Sequence, residues 1–309
     1  MSKENTAVTK KKMKRCKEDV VFDTACFIIL TLVLFVVAYP LYWVIISSIS
    51  APSAVSSGKV LLHPIGFTMK GYAEVFKNDQ VMRGFLNSLI ITFCGVMVNL
   101  IVTLPTSYAL SRSNFSGKKP ITIFYLITMF FSGGLIPTYL VIQRLQMLNT
   151  IWALILPGCL SVYNMIVART FFKSNISEEL YEAAEIDGCT QARFFFQIAL
   201  PLSKAIIAIL VLYYGVGHWN SYFSALVYIS DKAKYPLQLV LRNILITNQT
   251  ALSQTATTAA ARAALQETQQ LFDVMKYSLI IISSIPVLVM YPLVQKHFVK
   301  GVMIGSMKG

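Results

Sequence analysis

Five of the chain's fourteen carboxylates, Glu178, Glu179, Glu182, Glu185 and Asp187, fall within ten positions. Carboxylates at that density can hold a metal, exchange protons or meet a cationic partner, and the surrounding residues decide which. His63, His218 and His297 are isolated in sequence. Cys16, Cys26, Cys94, Cys159 and Cys189 are odd in number and widely spaced, so neither a metal set nor a disulfide framework is indicated. The Walker A, H-E-x-x-H and G-x-S-x-G patterns are absent. The expectation is a chain that is not an enzyme, with no metal and no cofactor, whose acidic cluster serves to dock.

A second set with chemical potential is Trp219, Asn220, Tyr222 and Phe223, which offers aromatic faces and an amide inside an apolar stretch. That combination suits the mixed surface of a sugar. It equally suits packing at a membrane boundary, where Trp and Tyr concentrate, and the sequence leaves the two readings side by side.

The elements that must position these residues are read from composition. The 309 residues are 55% hydrophobic and 13% charged, with a mean hydropathy of +0.61, against about 25% charged in soluble domains. Six windows contain no Lys, Arg, Asp or Glu: 24–49, 85–110, 121–140, 145–168, 205–229 and 277–294. Each approaches or exceeds the roughly 20 residues a helix needs to cross a bilayer, and a charge at mid-helix costs about 2.5–3.5 kcal/mol. Lipid gives backbone amides no partners, so the spans must be helices. The first window is too long for the core of a cleavable signal peptide. The fold class expected is all-α, a polytopic membrane protein with six transmembrane helices.

Lys and Arg set the orientation. With the N-terminus inside, the inner segments hold seven, three, four and three of them, and the outer segments four, one and five. Both termini are therefore expected in the cytoplasm. The excess charge of +13 follows from this asymmetry and suits anionic lipid. Nucleic acid is not an expected partner, because the basic residues are scattered at helix ends. The expected organisation is a basic tail (1–20), a six-helix domain (21–299) containing an inner loop (169–204) and an outer loop (230–276), and a C-terminal tail (300–309).

The inner loop punctuates as helix, turn, helix. Ser177 can cap the first helix, with Glu178 and Glu179 complementing its dipole. Gly188 can take the left-handed cap, and Thr190 can cap a second helix expected to stop before Pro201. A plain connector helix would have the same pattern. In the outer loop, the uncharged run 251–261 is too small-sided to anchor itself; in the separate outside segment 51–83, between the first two spans, a short helix is expected near Tyr72 to Phe76.

Glu182-Ala183-Ala184-x-x-Asp187-Gly188, followed by Phe194 to Phe196 and Ile198-Ala199-Leu200-Pro201, resembles the EAA motif of bacterial ABC-importer permeases. Ala54-Val55-x-x-Gly58-Lys59-Val60, Gly217-His218-Trp219-Asn220-x-Tyr222-Phe223, Tyr235-Pro236-Leu237-Gln238 and the segment from Gln295 to Gly309 are similar to MalG-like carbohydrate permeases, the LplC/YtcP-like branch in particular. The resemblance implies a MetI-like permease fold in a bacterial cell membrane. Its implied partners are a second homologous permease, a cytoplasmic ATPase dimer and an extracytoplasmic solute-binding protein, with a carbohydrate, an oligosaccharide, as cargo. It assigns Glu182, Ala183, Ala184, Asp187, Gly188 and Pro201 to coupling with the ATPase.

Moving a pore from 1:99 to 99:1 between two states takes about 5.5 kcal/mol of differential interaction, and nothing in the sequence supplies it. A secondary transporter, the alternative class, more often carries an intramembrane charge. An ABC importer for a non-sugar solute is the other alternative.

Overall fold

The computed structural model describes residues 17–251, 272, 275–292 and 295. The expectations for 252–261, for the basic N-terminal tail before Lys17 and for the C-terminal tail lie outside them. Among the described residues there is no β-strand, and three helices are each long and apolar enough to cross a membrane. They are α1 (Lys17–Ser48), α4 (Asp79–Ser111) and α15 (Met275–Pro292). Three bent pairs raise the count to six spans, each pair taken as one.

Between α1 and α4 lie the short helices α2 (Pro52–Ser56) and α3 (Lys70–Lys77), the latter covering the expected 72–76. The bent pairs follow. α5 (Lys118–Phe130) and α6 (Leu135–Arg144) meet at 114°. α7 (Trp152–Ile155) runs through a 3₁₀ turn and meets α8 (Val162–Asn175) at 51°. After α9 (Glu178–Ile186), the helices α10 (Gln191–Phe194) and α11 (Leu200–Leu202) meet α12 (Lys204–Trp219) at 80°. α13 (Phe223–Tyr228) and α14 (Leu237–Ala251) precede α15.

Several boundaries differ from the charge-free windows, each for a local reason. The window 121–140 is not one straight helix, because Ser132-Gly133-Gly134 breaks it and each glycine costs a helix about 1 kcal/mol relative to alanine. At 1.5 Å per residue, the 13-residue α5 is only ~20 Å long. The window 145–168 starts early and stops early: α8 continues to Asn175, carrying Arg169 and Lys173 on its last turns. Arg169 donates from Nε to the Leu110 carbonyl, 3.0 Å, so its charge lies against the end of α4. The second inner helix does not stop before Pro201. A π turn over Phe195–Ala199 intervenes, and its wider winding relieves the clash of a proline ring with the carbonyl four residues back. The outer loop, after a 3₁₀ turn over Lys232–Lys234, contains α14, an ordered helix where only loop was expected. Its buried Leu237, Leu239 and Val240 pack it onto α4.

α4 is the axis of the fold. Its 33 residues give ~50 Å of length, and it contacts α12, α8 and α14. Asn99, Thr103 and Ser107, four residues apart, are fully buried on one face. Asn99 donates from Nδ2 to the Gly158 carbonyl at 2.8 Å and meets His218 Nε2 through Oδ1 at 2.7 Å. The Thr103 and Tyr214 hydroxyls are 2.7 Å apart, and Ser107 donates to the Met165 carbonyl at 3.1 Å. The stripe therefore ties the breaks and bends of the fourth and fifth spans to one unbroken helix, and satisfies a carbonyl that the 3₁₀ turn would otherwise leave open. Close approach is part of the same design: a Cβ on Gly95 would sit 2.5–2.7 Å from three atoms of the His218 ring.

At the Asp79 end, Asn87 donates to the carbonyls of Ala233 (2.8 Å) and Tyr235 (3.1 Å), and Ser88 Oγ accepts from Leu237 N at 2.8 Å, starting α14. α1 is different. Only its last turn is buried, and Val20 to Ile45 present apolar side chains outward on all sides, the surface of a helix built for lipid or for another membrane helix.

Candidate functional site

At the Ser111 end of α4, the acidic cluster folds as a nine-residue helix with both ends closed. Ser177 Oγ accepts from Leu180 N at 3.3 Å, with Glu178 and Glu179 in the first turn. At the far end Gly188 N donates to the Glu185 carbonyl (3.0 Å) and Cys189 N to the Ala184 carbonyl (2.9 Å). These are the two bonds of a Schellman motif, with Gly188 at φ +75°. Thr190 Oγ1 then accepts from Arg193 N at 3.3 Å and starts α10. A helix this short is marginal alone, so its inner face matters. Tyr181 is buried and meets Phe194 edge-on at 5.3 Å; Phe194 and Phe195 pack in turn on Tyr108. Ala184 lies half inside the same cluster.

The outer face presents Glu182, Ala183, Glu185, Asp187 and Gly188, all exposed. With them stands Ile186, 87% exposed. This branched apolar side chain stands open beside Glu182, Glu185 and Asp187 and is covered by none of the described residues. Four of the five expected tip residues are thus outward, and Ala184 spaces the helix against its support. Pro201 is elsewhere: it sits in α11, exposed, beyond the π turn, where it marks the approach to the 80° bend.

Behind the tip lies a residue that sequence reasoning counted only as an inner charge. Arg112, 8% exposed, donates from Nη2 to the carbonyls of Phe172 (3.4 Å) and Ile176 (3.1 Å) at the end of α8. Its Nη1 stands 3.8 Å from Glu178 Oε2, while Glu178 Oε1 accepts from Ser113 N at 3.2 Å. The guanidinium also lies 5.2 Å from the Tyr108 ring centre. Glu178 is therefore engaged with the end of α4 and is not part of the free acidic tip. Beside it, Pro105, Tyr108, Tyr181, Phe195 and Phe196 line a cavity of about 340 Å³.

The four solute-path candidates separate. Trp219 is 2% exposed, donates from Nε1 to the Ser283 carbonyl at 2.8 Å and meets Phe85 edge-on at 5.6 Å. It packs α12 against α4 and α15. Asn220 ends α12 and is exposed, as are Tyr222 and Phe223. The helix does not run through these residues as the apolar window suggested; it stops at Trp219 and restarts at Phe223. Tyr222 lines an open cleft of about 340 Å³ with Gln238, Leu241, Arg242, Leu245 and Ile246 of α14. Among the described residues no group of three or more His, Cys, Asp or Glu side chains is placed to hold a metal ion.

No family model matches the chain. Among curated proteins, it is 36% identical over 288 residues to the polygalacturonan/rhamnogalacturonan transport system permease protein YtcP of Bacillus subtilis, covering 93% of this chain and 98% of that one. It is 37% identical over 297 residues to protein LplC of the same organism, covering 96% and 98%. The galactooligosaccharides transport system permease protein GanQ, also of B. subtilis, is 30% identical over 294 residues. Among solved structures, the chain superposes with a TM-score of 0.82 and 27% identity on the crystal structure of a bacterial ABC transporter involved in import of the acidic polysaccharide alginate, covering 92% of this chain and 99% of that one. With this identity sustained across almost its whole length, the protein belongs to the family of carbohydrate ABC-transporter permeases.

Proposed function

We propose that the chain is one of two homologous permease subunits in a bacterial cell-membrane importer for oligosaccharides. Both termini face the cytoplasm. A cytoplasmic ATPase dimer drives it, and an extracytoplasmic binding protein delivers the solute. The carrying observation is the helix α9, closed at both ends and clamped beneath by aromatic rings, with Glu182, Ala183, Ile186 and Asp187 turned outward. In this reading Ile186 and Ala183 enter an apolar cleft of the ATPase and Glu182 meets a basic group or backbone amides at its rim. The drive then passes through Gly188 and the second inner helix into α12. A secondary transporter has no such need for a stiff, outward-facing inner helix, and the family argues against it.

For cargo, the relatives named for polygalacturonan and alginate point to uronate oligosaccharides. The cleft of Tyr222, Gln238 and Arg242 offers an aromatic face, an amide and a cation, which suits such a solute. This replaces Trp219 by α14 residues in the expected solute path.

Two measurements test the reading. The assembled complex in vesicles, presented with its binding protein and in turn with oligogalacturonides, alginate oligosaccharides and maltodextrins, is expected to raise ATP hydrolysis with a uronate and not with a maltodextrin. Stimulation by none of the three, or by an amino acid, would overturn the cargo assignment. Ile186→Asp places a charge where the docking surface is apolar and is expected to weaken recovery of the ATPase with the permease by about tenfold, on the scale of 1.4 kcal/mol per decade. Undiminished recovery would count against α9 as the docking helix.

A further inference from the structure

A nine-residue helix on the tip of a loop transmits force only if something makes it one body with the spans. The sequence route runs through Gly188 and the π turn to α12, and backward from Ser177 through Ile176 to α8. Both routes end in helices that pack along α4, the long helix around which the spans are assembled, and Arg169 ties α8 to its Leu110 carbonyl, but neither route runs from α9 itself to the end of α4. Arg112 supplies that direct connection. It stands one residue past the end of α4, its fork reaches two carbonyls at the end of α8, and its other side faces Glu178 in the first turn of α9. The same carboxylate accepts the Ser113 amide, so α9 is held to the end of α4 from both sides of one peptide. Tyr108, one turn back on α4, carries the guanidinium on its ring and meets Phe194 and Phe195 of the second inner helix.

We propose that Arg112 is the positioning residue that makes the end of α4, the end of α8 and α9 move as one rigid unit, so that displacement of the docking helix tilts α4 directly. This rests on reading α9 as the ATPase-docking helix. The chemistry explains the residue type. The last carbonyls of α8 stand at the negative end of a helix dipole. Arg112 Nη2 adds a donor to the Phe172 carbonyl, which already accepts from Ile176 N, and to the Ile176 carbonyl, while Nη1, on the other arm of the fork, faces the Glu178 carboxylate as an ion pair at 3.8 Å. A lysine ammonium is a point charge and cannot hold all three.

The test places spin labels at Ile101→Cys, an outward position on α4, and at Glu179→Cys on α9. The five native cysteines are replaced, and the whole complex is placed in vesicles with its ATPase. With Arg112 present, the label separation is expected to be the same without nucleotide and with the ATPase trapped by ATP and vanadate. In Arg112→Met it is expected to differ between the two states while the ATPase remains bound and hydrolyses ATP. A separation that changes with Arg112 in place, or that stays constant in Arg112→Met, would overturn the inference. Should Arg112→Met lose the ATPase, Arg112→Lys is measured the same way. A state-dependent separation there supports the proposal, whereas a constant one or loss of the ATPase from that variant too leaves Arg112 a folding role only. Failure of the docking reading itself is seen elsewhere, as normal coupling in variants of Gly188 and Ile186.

Discussion

Gly188→Val is expected to abolish solute import while the complex stays assembled and continues to hydrolyse ATP. The cause is backbone conformation and not crowding. A Cβ at this position meets nothing within 4 Å, yet φ is +75°, where an L-residue pays about 1–2 kcal/mol and a β-branched one is a marked outlier. The strain is relieved by giving up the two bonds that close α9, from Gly188 N and Cys189 N. What frays is the turn bearing Ala183 and Ile186, the docking face itself. Because the site is open, substitutions should rank by tolerance of the left-handed region and not by size: Asn nearest to glycine, then Ala, then Val. Solute taken up per ATP hydrolysed, measured in vesicles across the four, checks this. Import by the valine variant at the glycine level would remove the basis for treating the turn as part of the coupling element.

Trp219→Ala is expected to destabilise the subunit by about 3–5 kcal/mol, the range for truncating a large buried ring. The change opens a void between α4, α12 and α15 and removes the bond from Nε1 to the Ser283 carbonyl. Thermal unfolding of the purified complex should shift strongly, and whatever complex survives should keep its preference among oligosaccharides. Tyr222→Ala should do the reverse, leaving unfolding nearly unchanged and altering the solute preference. A Trp219→Ala complex of normal stability with altered preference would return Trp219 to the solute path.

These two residues show where the sequence was readable. Everything at Gly188 is local: Ser177, Gly188 and Thr190 act within four residues of where they stand, so helix, turn and helix followed from spacing alone. Trp219 depended on what stood opposite, and its partners Phe85 and Ser283 are far away in the chain. The aromatic cluster looked the same whether it faced solute or neighbour. Arg112 was missed for the same reason: its ligands are carbonyls 60 and 64 residues on, and carbonyls have no signature in a sequence. Absence of charge located the six spans well, because lipid excludes charge whatever the packing. It located their ends poorly at Arg169, whose guanidinium reaches across from α8 to a backbone carbonyl of α4. The break at Ser132 to Gly134 was written in the residues, but a window scored on charge does not see glycine. Ile186 was visible too, as the one branched apolar residue on the same side as Glu182 and Ala183, and it lacked only a reason to look for exposure.

The polar stripe on α4 carries a consequence for how the chain is made. Asn99, Thr103 and Ser107 enter the membrane with α4, but their partners Gly158, Met165, Tyr214 and His218 lie 58 to 119 residues further along. At about 5–20 residues per second of synthesis, the last of them arrives roughly 6–24 s after Asn99. Until the fourth span arrives the central helix holds an amide and two hydroxyls that lipid cannot satisfy, and until the fifth arrives the Thr103 hydroxyl and the Asn99 oxygen remain open. α4 is thus completed by later chain, and a ribosome that stops after α8 leaves its two innermost bonds unmade. The helix about which the spans are organised is one of the first to be synthesised and among the last to be finished.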